Sequence, residues 1–257
     1  MVQTSSTQSS QQLSTLATQR DGSKFSLWYF KLHGLAISTR ALLAISGADW
    51  SDKYQNQGDE WAARKDESPF GVLPVLYETT SDGQTTLQIA ERDAIERYIA
   101  QKFGLSGDNA WEQVLVNEAV SLNQSLFNYW VYRILYSGPE EQAKALEDLK
   151  SKHLPLWVRN VESILIKNGK NGHFVGNHFT HADAHASAVV DIMLSIVGTE
   201  SVLNEKTAPN LLAAHKKTVS HPGYAAYRKS DDWAFYINSM NKFLEPKFAF
   251  DFNRAMV

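Results

Sequence analysis

The sequence predicts two domains of different class, an α/β domain followed by an all-helical domain. Short apolar runs of strand and helix character alternate over residues 25–103, whereas residues 111–257 show helical periodicity alone. Between them, residues 104–110 carry glycine, aspartate and asparagine with little periodicity, which predicts a linker. With 257 residues and 43% apolar content, the chain is long enough to bury two small cores.

The first 24 residues differ in composition from the rest of the chain. They are rich in Ser, Thr and Gln, so we expect a disordered tail at residues 1–24. This segment has neither the apolar run of a secretory signal nor the arginine-rich pattern of a transit peptide. Together with the absence of cysteine, which is compatible with a reducing compartment, this favours a cytoplasmic protein.

Composition also excludes several classes of function. A net charge of −3 with scattered basic residues argues against nucleic acid as a partner. The longest apolar stretches are well short of the roughly 20 residues of a membrane-spanning helix, so we expect no membrane partner. Without cysteine, the chain has no disulfide, no thiolate metal ligand and no cysteine nucleophile.

The first half of the α/β domain is predicted from short local patterns. The aromatic run at 25–30 predicts a strand, and residues 35–45 have helical spacing before Gly47, a typical helix C-cap. Residues 50–54 favour a second strand, and 60–65 favour a short helical turn. These elements give the order strand, helix, strand.

A proline inside an apolar strand-like run marks the next segment. Because proline cannot donate to a sheet ladder, we expect a cis Leu73-Pro74 bond that turns the N–H and C=O of Leu73 outward. An Asp82-Gly83 turn separates two further strands, and a helix begins near Glu91. This order of elements is that of a thioredoxin-like domain.

The second half of the chain is predicted to be a helical bundle domain. Apolar residues at three-and-four spacing over 111–134 predict a long amphipathic helix that ends at Gly138-Pro139. A second helical stretch follows, which Pro155 is expected to kink or divide. Thr180 and Asp183 have capping-box spacing ahead of another apolar run, which predicts a helix start and a structural role for Asp183.

A peptide-pairing loop beside a helix start that binds anions resembles the glutathione site of the cytosolic glutathione transferases. The run Leu27-Trp28-Tyr29-Phe30 is similar to the first strand of the tyrosine-type sigma and mu-like group, and the order of motifs matches over almost the whole chain after the tail. The resemblance implies that the Tyr29 hydroxyl donates a hydrogen bond to the glutathione sulfur. From the sequence alone, packing in an aromatic strand is the alternative.

The resemblance also implies the contacts that hold the rest of glutathione. Trp61 and Lys65 fall where the group has residues that reach the glycine carboxylate, and exposure on a turn is the alternative for both. Leu73, ahead of Pro74, would pair its backbone with the cysteinyl part of the tripeptide. The alternative for this segment is an edge strand.

Glu91-Arg92 departs from the family, which usually has Gln-Ser or Glu-Ser at the γ-glutamyl end. Glu91 can accept from the ligand ammonium, and Arg92 can make a charge-assisted contact with its carboxylate. Arg92 pointing to solvent or pairing with Glu91 is the alternative. Leu35 is a second departure, since some sigma members have an arginine there, so the sulfur anion would depend mainly on Tyr29.

A pocket for a hydrophobic co-substrate is implied beside the long helix. Its candidate lining residues are Leu32, Leu35, Phe127, Trp130 and Tyr132. An aromatic residue at helical spacing is more often part of a core, so packing remains the alternative for each of them.

Four histidines near the middle of the second domain raise the question of a metal site. His181 and His185 have the i, i+4 spacing of two ligands on one helix face, and His173 and His178 lie nearby. No further ligand completes a site, so we expect no metal and no bound cofactor. In this interpretation, glutathione is a co-substrate.

The resemblance implies a cytoplasmic, homodimeric transferase that conjugates the glutathione thiolate to hydrophobic electrophiles, a detoxification reaction. Two alternatives stay open. One is a non-catalytic protein of the same fold that binds glutathione or an apolar ligand. The other is a glutathione-dependent isomerase or peroxidase, because those reactions use the same thiolate.

Overall fold

The computed structural model describes residues 10–198 and 201–242. The chain divides into two compact units, with one ending at Leu105 and the other beginning at Ser106. The first unit is α/β, and within the described residues the second is helical. The fold class predicted from the sequence is therefore confirmed.

A mixed sheet with strand order β2-β1-β3-β4 forms the centre of the first unit. Its strands are β1 (Lys24–Phe30), β2 (Asp49–Gln55), β3 (Val75–Thr79) and β4 (Thr86–Ala90). β1 is parallel to β2 and antiparallel to β3, and β3 is antiparallel to β4. This is the predicted thioredoxin-like order.

The helices of the first unit are α1 (Ser10–Thr18), α2 (Ile37–Ser46), α3 (Asp59–Arg64) and α4 (Arg92–Phe103). A 3₁₀ turn, Gly34–Ala36, precedes α2, and the two longer helices α2 and α4 pack against each other. Both end in a glycine with left-handed backbone, Gly47 and Gly104, as the sequence predicted.

The predicted disordered tail differs from the structure over part of its length. Residues 1–9 lie outside the described residues, but α1 forms within the segment, and β1 begins at Lys24. The cause is contact with α4: Lys102 Nζ donates to the Leu16 carbonyl at 2.7 Å, and Arg20 donates to the Phe103 carbonyl. A low apolar content cannot reveal such long-range partners.

The second unit begins with α5 (Ala110–Trp130), which ends in a π-helical turn, Val131–Leu135. The next stretch is divided, as expected near Pro155, into α6 (Pro139–Asp148) and α7 (Leu154–Lys167). A second π-helical turn separates these two helices, and the proline lies in the first turn of α7, a position that favours proline.

The central helix of the second unit is α8 (His181–Val197), and its start has the predicted capping box. The backbone N–H of Thr180 donates to the Asp183 carboxylate at 2.8 Å. A second carboxylate oxygen accepts from Phe174 N–H at 3.0 Å, which gives Asp183 the structural role that was expected. The remaining helices are α9 (Pro209–Val219), α10 (Pro222–Arg228) and α11 (Asp231–Lys242).

Across residues 10–198 and 201–242, none of the helices combines the length and apolarity required to cross a membrane.

Candidate active site

Sheet register gathers the predicted glutathione residues of the first unit at one end of the sheet. Trp28 of β1 lies opposite Val75, and Val75 lies opposite Ala90 of β4. The residues just beyond these pairs are Tyr29, the Leu73-Pro74 segment and Glu91. β2 runs parallel to β1 and ends at this same side, so α3 with its tryptophan and the following lysine also starts there. We call this end of the sheet the Tyr29 edge.

Tyr29 is held by the turn that follows its own strand. Its side chain is 4% exposed, and its hydroxyl oxygen accepts a hydrogen bond from the Leu35 backbone N–H at 2.9 Å. A hydroxyl has two lone pairs and one hydrogen, so this bond fixes the oxygen without using its hydrogen. The arrangement is suited to donation toward a sulfur anion, because a phenol that accepts one bond becomes a better donor in the next.

Gly34 allows the turn to approach the phenol this closely. Its φ is +41°, and an added Cβ would lie 2.6 Å from the Tyr29 hydroxyl oxygen and 2.5 Å from Leu32 Cδ1. Both distances are shorter than any ordinary contact. The sequence shows a glycine after the strand, but the demand for it comes from the tyrosine hydroxyl and appears only in three dimensions.

Sequence reasoning missed Arg40, the buried cation of α2. Its side chain is 0% exposed and pairs with Asp52, which is 4% exposed, at 3.0 Å. The guanidinium also donates to the Leu32 carbonyl at 2.7 Å and to the Phe30 carbonyl at 3.4 Å. The guanidinium carbon lies 5.7 Å from the centre of the Tyr29 ring. An arginine within an otherwise apolar helix face was the only available sequence signal.

The Leu73-Pro74 peptide bond is cis, as predicted. Leu73 is 8% exposed, and within the described residues its N–H and C=O form no hydrogen bond. Ser68, a second residue that the sequence reasoning missed, closes the preceding turn: its Oγ donates to the Val72 carbonyl and accepts from the Val72 N–H. A strand-like backbone group without a partner beside a closed turn can pair with an extended peptide.

Trp61 and Lys65 have different surroundings. Trp61 is 3% exposed and packs edge-on against Trp28 and Phe30, with ring centres 5.8 and 5.7 Å apart. It is therefore not the exposed turn residue of the alternative interpretation. Lys65 is half-buried, and its stem covers the loop before the cis bond: a Cβ on Gly71 would lie 3.5 Å from Lys65 Cγ and Cε.

Glu91 and Arg92 stand at the start of α4 with contrasting environments. Glu91 is exposed and has φ +72° and ψ 117°, a backbone conformation that is costly for a residue with a side chain. Arg92 is buried, and its Nε pairs with the Asp93 carboxylate at 3.2 Å. Burial excludes the alternative of a solvent-facing Arg92, and the ion pair that the structure shows for it is with Asp93 and not with Glu91.

The predicted pocket residues divide between core and surface. In the first unit, Leu32 and Leu35 are half-buried near Tyr29. In the second unit, Phe127 and Trp130 are 1% exposed with ring centres 5.2 Å apart, so each has a packing role, while Tyr132 is 58% exposed. The assignment of these five residues to a substrate pocket stays a prediction.

Three of the four histidines considered for a metal site lie in the core of the second unit. His173, His181 and His185 are buried, and the rings of His181 and His185 lie 6.0 Å apart, edge to face. In the part of the chain that the structure describes, no three His, Asp or Glu residues are grouped so as to hold a metal ion.

Comparison with known proteins finds a matching family model and many similar proteins. The family model described as "Glutathione S-transferase, C-terminal domain" matches residues 126–231. A probable glutathione S-transferase 7 from Caenorhabditis elegans is 30% identical over 161 residues, which are 60% of this chain and 73% of the relative. A hematopoietic prostaglandin D synthase from Gallus gallus is 28% identical over 203 residues, or 79% of this chain and 94% of that protein.

Among solved structures, a sigma class glutathione transferase from Fasciola hepatica has a similar fold. It superposes with a TM-score of 0.70 at 27% identity, covering 81% of this chain and 97% of that one.

Proposed function

The chain belongs to the cytosolic glutathione transferase family, and we propose that it joins the glutathione thiolate to an electrophilic, largely apolar substrate, with Tyr29 stabilising the sulfur anion. The observation that carries this assignment to Tyr29 is the hydroxyl held by Leu35 N–H at 2.9 Å, at the edge where the unpaired Leu73 backbone also lies.

The chemistry requires a thiolate at neutral pH. A free thiol has a pKa of about 8.5, so only a few per cent is ionised near pH 7. A hydrogen bond to the charged form favours ionisation by about 1.5 to 3 kcal/mol, which lowers the pKa of the thiol by about 1 to 2. With Leu35 in place of a cation at its position, this bond is the principal source of anion stabilisation.

The other residues of the Tyr29 edge are suited to bind a tripeptide with charged ends. Leu73 would exchange backbone hydrogen bonds with the cysteinyl residue, and the Lys65 ammonium would attract the glycine carboxylate. At the other end, Arg92 and Glu91 would contact the γ-glutamyl carboxylate and ammonium. The Arg92 guanidinium already pairs with Asp93 at 3.2 Å. We expect it to contact the ligand carboxylate while it keeps this pair.

Three finer features belong to the same proposal. The substrate is a small hydrophobic electrophile, the setting is cytoplasmic detoxification, and the enzyme is a homodimer. Support for the dimer comes from α5, where Trp111 and Val114, one turn apart, are 67% and 50% exposed. Two large apolar side chains on one helix face favour packing against a second copy of the chain.

Turnover by Tyr29→Phe tests the assignment. With an activated aryl chloride as electrophile, we expect kcat to fall by about ten- to a hundredfold, the equivalent of the lost hydrogen bond, while glutathione affinity measured by calorimetry stays nearly constant. Tyr54→Phe, on the neighbouring strand, is the matched control and should keep wild-type turnover. Unchanged turnover in Tyr29→Phe would remove Tyr29 from the mechanism.

The relative named as a prostaglandin D synthase favours a second candidate, a glutathione-dependent isomerase. The same thiolate serves both reactions, so Tyr29→Phe would impair either. Product analysis separates them: conjugation consumes glutathione in proportion to product, whereas isomerisation leaves its concentration constant. Binding of glutathione without turnover of any electrophile would instead favour the non-catalytic alternative.

A further inference from the structure

We propose that Arg40 is a positioning residue that sets the place of the Tyr29 hydroxyl and thereby the pKa of bound glutathione. The inference rests on the proposed role of Tyr29. Arg40 acts through the turn after β1 and contacts neither the substrate nor the sulfur.

Burial makes the contacts of Arg40 decisive. Its side chain is 0% exposed, and a buried cation is stable only when it is paired and its donors are satisfied. The Asp52 carboxylate accepts from Nε at 3.0 and 3.2 Å. Nη1 and Nη2 each donate to a backbone carbonyl, so a shift of the guanidinium would break contacts with the turn.

Those carbonyls belong to the turn that leads directly from Tyr29 to Leu35. Nη1 donates to the Leu32 carbonyl at 2.7 Å and Nη2 to the Phe30 carbonyl at 3.4 Å. The same Phe30 carbonyl accepts from Leu32 N–H at 2.8 Å, which closes the turn. Three residues later, the Leu35 N–H reaches the tyrosine oxygen at 2.9 Å.

Arg40 also restricts the position of the Tyr29 ring. The guanidinium carbon is 5.7 Å from the ring centre, within the range of about 6 Å at which a cation is attracted to an aromatic face. The Tyr29 side chain is therefore held at two points, by the Leu35 N–H at its oxygen and by Arg40 beside its ring.

Lysine cannot reproduce this arrangement. Its ammonium is a point charge that can pair with Asp52, whereas the planar guanidinium presents five donors in a fixed fork to a carboxylate and two carbonyls at once. Arg40→Lys thus keeps the buried charge and removes part of the scaffold of the turn. Arg40→Met removes both and keeps the volume of the aliphatic stem.

The test measures the pKa of glutathione bound to each variant by the ultraviolet absorbance of the thiolate. We expect Arg40→Met to raise that pKa by about 1 and to lower kcat by about tenfold, since displacement of a catalytic group by about 1 Å can cost about a hundredfold. Arg40→Lys should lie between Arg40→Met and wild type. A folded Arg40→Lys variant with the wild-type pKa of bound glutathione and the wild-type kcat would overturn the proposal. This test holds even if Arg40→Met does not fold.

Lys102→Met is the matched control for loss of a buried cation. Its side chain is 1% exposed and pairs with Glu78 at 2.8 Å. Its partners lie near the opposite end of β1, where Glu78 faces Phe25. We expect this variant to be less stable but to keep the wild-type pKa of bound thiol. An equal rise in both variants would mean that the effect is general loosening, which contradicts a positioning role.

A double variant separates this inference from the proposed function. In a Tyr29→Phe background, Arg40→Lys should raise the thiol pKa no further, because its effect passes through the hydroxyl. If Tyr29→Phe alone leaves the pKa unchanged, the role of Tyr29 fails. If Tyr29→Phe raises it and Arg40→Lys raises it independently by the full amount, only the inference about Arg40 fails.

Discussion

Two buried cations lie near opposite ends of strand β1, and they differ in what they hold. Arg40 is 0% exposed and paired with Asp52, and Lys102 is 1% exposed and paired with Glu78. Both ion pairs are nearly free of solvent. By burial and charge alone the two sites are equivalent, so these properties do not show which of them affects chemistry.

The partners of Lys102 are all structural. Its ammonium donates to the Leu16 carbonyl of α1 at 2.7 Å and lies 3.6 Å from Asp21. Glu78 also accepts a hydrogen bond from the Tyr98 hydroxyl, and burial together with this carboxylate raises the pKa of Tyr98 far above its ordinary value. This end of β1 fastens the N-terminal helix to the sheet.

Arg40, by contrast, holds the turn after β1, and the Leu35 N–H of that turn donates to the Tyr29 hydroxyl. A buried ion pair therefore affects chemistry only when the groups it contacts in turn contact the reacting atoms. Stability and thiol chemistry should therefore respond separately when each end of β1 is changed.

Lys102→Met should have the largest effect on stability. Removing one partner leaves the Glu78 carboxylate buried without its counter-charge, which costs about 3 to 5 kcal/mol. Urea unfolding measures this loss. A destabilisation below about 1 kcal/mol, typical of a surface pair, would show that the buried pair does not anchor this end of the sheet.

Gly34→Ala should damage both stability and chemistry. The new Cβ would lie 2.6 Å from the Tyr29 oxygen, so the turn or the ring must shift, at a cost of about 1 to 3 kcal/mol. We expect the thiol pKa to rise as the hydroxyl moves. The matched control is Gly83→Ala, which has φ +70° and no atom within 4 Å of its added Cβ.

Gly83→Ala tests backbone strain alone and should leave the thiol pKa at its wild-type value. If Gly34→Ala behaves like Gly83→Ala in the thiol titration, close approach of the turn to Tyr29 does not control the site.

Deletion of residues 1–18 should have the smallest effect. It removes the Leu16 carbonyl from Lys102 and leaves Glu78 in place, so we expect a loss of about 1 to 2 kcal/mol with no change in thiol pKa. The comparison chain lacks residues 1–9 only and keeps α1. Equal stability of the two deletions would show that α1 contributes nothing to the first unit.

Local signals predicted much of this fold. Gly47 and Gly104 end helices, Pro74 follows a cis bond, and Thr180 with Asp183 begins α8, because each effect acts within a few residues of its cause. The same reasoning located Tyr29 at the end of the first strand.

Long-range partners were not predictable in this way. The sequence shows Arg40 on an apolar helix face and Lys102 near a helix end, but only the fold brings their carboxylates and carbonyls together. Likewise, Arg92 is next to Asp93 in sequence, yet its burial depends on how α4 packs. Glycine is required at position 34 because the Tyr29 hydroxyl lies against it, and a strand pattern in the sequence does not predict that contact.

A pH titration of thiolate absorbance, for glutathione bound to wild type and to Tyr29→Phe, tests most directly whether the Tyr29 hydroxyl stabilises the sulfur anion. We expect the pKa of the bound thiol to lie below the free value of about 8.5 in the wild type and to be higher by about 1 to 2 in the variant. The same bound pKa in both proteins would contradict it.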